Sequence, residues 1–183
     1  TTHDAIAMNN SWGYSQNCVG DVCESALEWS EVVSAANANG RNIREELNNR
    51  SEHVFGSHTS TYLTALDNFQ NNGVIVWASG NFPNDTDVGG MSGLPAYFNG
   101  TDDSLDLSDA WLTVMYAEFT GTSLSGASTS DFSRKGNPCG SAKEWCLVVD
   151  DRTIKAAGFI NGSGTSIYST CLLYTSDAAD DLV

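Results

Sequence analysis

The residue best placed for chemistry is Asn81. It follows the continuous apolar run Val74-Ile75-Val76-Trp77-Ala78 and then Ser79-Gly80. Such a run is typical of a parallel strand covered on both faces. A side-chain amide at the carboxyl end of that strand projects into the crevice where α/β sheets bind ligands. Its N–H can stabilise negative charge on a carbonyl oxygen under attack. On position alone, an Asn that caps a turn after Gly80 is the favoured reading.

Other groups offer less. Gly121-Thr-Ser-Leu-Ser-Gly126-Ala127-Ser128 has the glycine spacing of a phosphate-binding loop, but Ala127 stands where the lysine must be. Asp85, Asp87, Asp102, Asp103 and Asp106 supply carboxylates in one stretch. No Asp-x-Asp-x-Asp-Gly loop organises them, so solvated charge is the expectation, not calcium. The five cysteines form two local pairs, Cys18/Cys23 and Cys139/Cys146, with Cys171 left over. Neither pair is a CxxC and few histidines lie near, which argues against zinc. Two short disulfides in an acidic, lysine-poor chain fit an oxidising, extracytoplasmic location.

These groups must be held by an ordinary folded domain. The chain has 183 residues, 40% apolar and 17% charged, which suits one globular core. Its formal charge is −15, which argues against nucleic acid and against an anionic membrane surface as partners. No apolar run approaches the roughly 20 residues of a membrane helix. Ala5–Asn10 reads as a buried strand ending at Ser11-Trp12-Gly13. Weak helical patterns follow near 24–36 and 41–50. From Thr59 to Asn72, the residues Tyr62, Leu63, Leu66 and Phe69 recur at helical spacing, and Asn72-Gly73 supplies the stop. Helix, Gly turn and buried strand together read as part of a βαβ unit. Residues 82–109 read as loop, Trp111–Tyr116 and Trp145–Val149 as strands, and 120–143 as a Gly/Ser-rich connection. Arg152–Tyr168 reads as a hairpin with Asn161-Gly162 at its turn.

The order of these pieces resembles the subtilisin-like serine peptidases, in particular those found as bacterial autotransporter passengers. The match is carried by Asn9-Asn10-Ser11-Trp12-Gly13, by the strand ending Ala78-Ser79-Gly80-Asn81, by Leu94-Pro95 and by Trp111-Leu112-Thr113-Val114. Asp131-Phe132-Ser133 and Cys139-Gly140-Ser141-Ala142-Lys143-Glu144-Trp145-Cys146-Leu147 continue it. The resemblance implies an α/β fold, a partial subtilisin-like three-layer arrangement with a mainly parallel sheet flanked by helices, over residues 1–170. It gives Asn81 the role of oxyanion-hole donor. It makes Ser11, Trp12 and Gly13 an edge to which an extended peptide adds by backbone hydrogen bonds. It makes Ala78, Ser79 and Gly80 one wall of the pocket for the side chain before the scissile bond. A protein or peptide substrate is implied, with calcium and a C-terminal outer-membrane barrel belonging to the full-length protein. The expected location is secreted or on a bacterial cell surface.

The family mechanism also needs Asp, His and Ser in that order. The Asp and His motifs are expected upstream of Asn9, since Thr1 is either a processed terminus or a cut within a longer protein. The nucleophile motif is expected just beyond Thr170. Gly164-Thr165-Ser166 spells the nucleophile tripeptide, but Ile167-Tyr168 after it suits a strand, so Ser166 reads as a decoy. None of His3, His53 and His58 has the glycine-threonine-histidine context of the catalytic helix. The segment Cys171–Asp181 looks like the translation of a transposase-type sequencing adaptor, which would make 171–183 non-native. Removing Asp177, Asp180 and Asp181 with it moves the formal charge from −15 to −12. Such a fragment is expected to be inactive alone, and to aggregate or stay partly unfolded. Val149-Asp150-Asp151 and Met115-Tyr116-Ala117-Glu118 depart from the family's usual Ala-Pro-Gly and Gly-Ala-Val-Asp turns, which implies a divergent member. The competing reading is a non-catalytic extracellular α/β interaction or binding domain.

Overall fold

A computed structural model of the chain describes residues 6–10, 15–16, 25–50, 58–123 and 125–150. Ser11, Trp12, Gly13, Cys18, Cys23, His3, His53, Ser166, the 152–168 hairpin and the 171–183 tail lie outside them. The fold is α/β. Strand β1 (Ala7–Asn10) is followed by the short antiparallel pair β2 (Ser15–Gln16) and β3 (Ser25–Ala26). Helices α1 (Trp29–Ala38), α2 (Ile43–Asn49) and α3 (Thr59–Gln70) come next, then β4 (Val74–Ala78). After a long loop come β5 (Trp111–Phe119), β6 (Phe132–Arg134) and β7 (Cys146–Asp150). Strands β1, β4, β5 and β7 are mutually parallel neighbours in that order, and β6 runs antiparallel to the end of β5.

Each element follows from its residues. Helix α1 starts at a reciprocal cap between Glu28 and Glu31, and α2 at one between Asn42 and Glu45. The first helical pattern therefore begins at Trp29, five residues later than its start near residue 24, because Ser25–Ala26 pairs in β3. In α3 the predicted face holds: Leu63 and Leu66 are buried, with Tyr62 and Phe69 packed beside them. Burying each leucine contributes roughly 1.5–3 kcal/mol. Helix α3 packs on β4, and the Asn72-Gly73 stop is where the helix ends.

Alternation along the strands sorts the sheet into two faces. Met8, Asn10, Ile75, Trp77, Trp111 and Thr113 share the helix-covered face by register. There Trp77 and Trp111 stack with centroids 5.5 Å apart. Val76, Val114 and Val149 form a smaller cluster on the other face, with Leu112 and Tyr116. That face is only partly covered: Val74 is 43% and Leu147 42% exposed. The expectation of a fully buried first strand is corrected accordingly. Only Asn10 of β1 is buried, because Ala7 and Asn9 lie on the less covered face.

Two charge clusters brace the helical side. Glu46, on α2, is buried and accepts hydrogen bonds from Asn39, Arg41 and Arg50. Arg44 grips Asp103 through two nitrogens, at 2.5 and 3.0 Å, and lies 5.3 Å from the Phe98 ring centroid. Burial raises both carboxyls, and the hydrogen bonds from their partners outweigh it, holding each below the usual carboxylate range. The folded state therefore favours the ionised forms. Their stabilisation is present above about pH 4 and is lost as pH falls through the depressed folded values. Thermal unfolding followed from pH 7 to 3 is expected to show Tm falling in that window. Asp103→Asn should start lower at pH 7 and fall less; a Tm drop of the same size in both proteins would remove Asp103 from the account.

Candidate functional site

Strand β4 stops pairing with β5 at Ala78–Val114, while β5 continues to Phe119. Beyond that point β6 takes the neighbouring place, pairing at Ala117–Phe119. The chain after β4 therefore leaves the sheet beneath the residues that follow β6. Asn81 sits at this exit, exposed, just after Gly80 with φ +128°. Its side-chain amide has no hydrogen-bond partner among the described residues.

What surrounds Asn81 is tightly tied. Ser79 is buried; its hydroxyl donates to the Asn137 carbonyl at 3.0 Å, and its own carbonyl accepts from Gly89 N–H at 2.8 Å. Asn137 N–H donates to the Gly80 carbonyl at 3.1 Å. Asn137 Oδ1 accepts from Phe82 N–H at 3.0 Å. Asn137 Nδ2 donates to Asp85 Oδ2 at 2.9 Å and to the Asp87 carbonyl at 3.0 Å. Arg134 adds bonds to the Pro83 and Asp85 carbonyls. The small residues expected to form an open wall are thus backed by Asn137. Ala78 is half-buried, Ser79 is turned inward, and the space behind Gly80 is filled.

Asp85 and Asp87 correct a second expectation. They are not solvated charge: each is only 6% exposed. Asp87 accepts from Val88 N–H, Ser141 N–H and Ser141 Oγ–H, at 2.9, 2.6 and 2.8 Å. Glu28 in turn accepts from Thr86 and from Asp87 N–H. These carboxylates organise the loop by taking up its donors. Asp102, Asp103 and Asp106 do the same for residues 99–108, accepting from Asn99, Leu105 and Ser108. Among the described residues no group of three or more His, Cys, Asp or Glu is arranged to hold a metal ion. No helix among them is long and apolar enough to cross a membrane.

Cys139 and Cys146 are bonded, and Ser141 lies inside the loop they close. The bridge joins the segment holding Asp87 to the start of β7. A loop with a separation of 7 is worth about 2 kcal/mol by chain entropy. Reduction, or Cys139→Ser with Cys146→Ser, is expected to lower unfolding stability by that amount in urea titration. No change in the midpoint would show that the packing alone holds the loop.

The 120–128 segment is a loop between β5 and β6 and opens no α-helix, so its glycines do not form a phosphate-binding strand–loop–helix. His58 is exposed at the start of α3, away from the candidate residues in sequence and on a different element.

No family model, curated protein or solved structure matches this chain. The site therefore rests on its own geometry: an amide without a partner among the described residues, at the carboxyl end of an inner parallel strand, on a backbone clamped on both sides. Sequence reasoning missed Asn137, Asp85, Asp87 and Ser141 as its supports. The only local sign was Gly136-Asn137-Pro138, a turn-like triplet that names no partner.

Proposed function

We propose that this chain is part of a secreted or cell-surface subtilisin-like serine endopeptidase, with Asn81 donating its amide N–H to the oxyanion of peptide-bond hydrolysis. The observation that carries this reading is the exposed Asn81 amide at the carboxyl end of β4, without a hydrogen-bond partner among the described residues. The parallel order β1-β4-β5-β7 supports it as well, because ligands of such sheets bind at the strands' carboxyl ends. In this reading a histidine deprotonates a serine, an aspartate orients the histidine, and the serine attacks the scissile carbonyl to form an acyl-enzyme. Those three groups come from outside the residues described. Asn81 then meets the negative oxygen of the tetrahedral intermediate.

The test begins with the gene. Sequencing across both ends should reveal an upstream Asp strand, a Gly-Thr-His helix and a Ser-Gly-Thr-Ser segment with a following proline. The complete protein should then cleave an unstructured peptide mixture and lose that activity to a serine-directed fluorophosphonate. A complete gene without those three motifs overturns the reading in favour of a non-catalytic binding domain.

A further inference from the structure

We infer that Asn137 is the positioning residue for Asn81, an inference that rests on the oxyanion role proposed above for its catalytic consequence. Asn137 is fully buried, at 0% exposure. Its hydrogen bonds land on Ser79, Gly80, Phe82, Asp85 and Asp87. They bracket Asn81 from the residue before it to the residue after it, and none of them uses the Asn81 side chain. Both atoms of the Asn137 amide are used, as are its backbone N–H and carbonyl. The side-chain amide ties the flank after Asn81, at Phe82, Asp85 and Asp87, while the Asn137 backbone ties the flank before it, at Ser79 and Gly80.

The fit is steric as well as polar. A Cβ on Gly80 would lie 2.2 Å from Asn137 Oδ1, and a Cβ on Gly136 would lie 2.4 Å from the Gly80 carbonyl oxygen. Glycine at both places lets the 136–137 segment press directly on the backbone that carries Asn81. The clamp is in turn anchored by Asp87, which Ser141 holds from the disulfide-closed loop. An oxyanion donor acts only if it is already in place when charge develops, so misplacement by about 1 Å can cost on the order of 10²-fold.

Two measurements test this. In the complete protein, Asn137→Ala should speed hydrogen exchange at Phe82 N–H by about tenfold or more, with α1–α3 amides unchanged. In the complete peptidase, Asn137→Ala should lower kcat by at least about tenfold with KM held, and the double variant with Asn81→Ala should be no slower than Asn81→Ala alone. That non-additivity is what a purely structural role would not produce. Asn137→Asp keeps the acceptor for Phe82 and carries the same tests if the alanine variant fails to fold; it should retain more kcat than alanine does. Unchanged exchange at Phe82, or losses that multiply in the double variant, overturns the inference. A complete protein that cleaves no peptide overturns the peptidase reading instead, and Phe82 exchange then decides the role of Asn137 alone.

Discussion

In the complete protein, Asn81→Ala is expected to lower kcat by roughly 10²–10³ and leave KM nearly unchanged. That size is the loss seen when one oxyanion-hole donor of a subtilisin is removed. The direction follows from the geometry. Asn81 is exposed at the strand exit and has no hydrogen-bond partner among the described residues, so its amide is available to a ligand. The donor is needed most when the carbonyl oxygen becomes an anion, which places its effect on the transition state. Stability should change by no more than about 0.5 kcal/mol, because the side chain is exposed and no described residue bonds to it. Steady-state kinetics on a peptide substrate, with thermal unfolding of the same sample, separates the two effects. A kcat within about threefold of the parent would remove Asn81 from the chemistry and return it to the role of a turn residue.

Gly80→Ala acts through the fold, with an expected loss of about 3–4 kcal/mol in unfolding free energy. Two causes combine. The residue sits at φ +128°, which an L-residue adopts only under strain. The added Cβ would also lie 2.2 Å from Asn137 Oδ1 and 2.6 Å from its Cγ. Asn137 is fully buried and cannot swing away without breaking its bonds to Phe82 N–H, Asp85 and the Asp87 carbonyl. Urea unfolding of parent and variant measures the difference. Gly126→Ala is the control, since it too has a positive φ, +78°, but nothing lies within 4 Å of its Cβ position. It should cost only the backbone strain, about 1 kcal/mol. Equal losses at the two glycines would show that the contact with Asn137 contributes nothing.

Local pattern was enough for the elements whose neighbours lie within a few residues. Leu63 and Leu66 are legible as a buried helix face because the 3.6-residue repeat is written in the chain itself. Val74–Ala78 is legible as a strand because β-branched and aromatic residues occur without interruption. Strand β6 was not, since three residues in a Ser-rich stretch become a strand only because β5 runs past the end of β4 and offers an edge.

The same division applies to the site. Asn81 was picked out by the resemblance of the strand ending Ala78-Ser79-Gly80-Asn81, since its place after an apolar strand fits a turn cap as well. Asn137 could not: its partners lie 50 to 58 residues away, and a buried polar side chain carries no periodicity. Asp85 and Asp87 were misjudged for that reason. A carboxylate in a polar stretch looks solvated until the fold brings Asn137 and Ser141 to it. Sequence by itself thus determined the α/β character, because apolar runs and helical spacing are written along short stretches of chain, and it offered Asn81 as a candidate only through a resemblance. Only the tertiary structure decided what holds that donor still, because hydrogen bonds between distant segments depend on packing and not on local order.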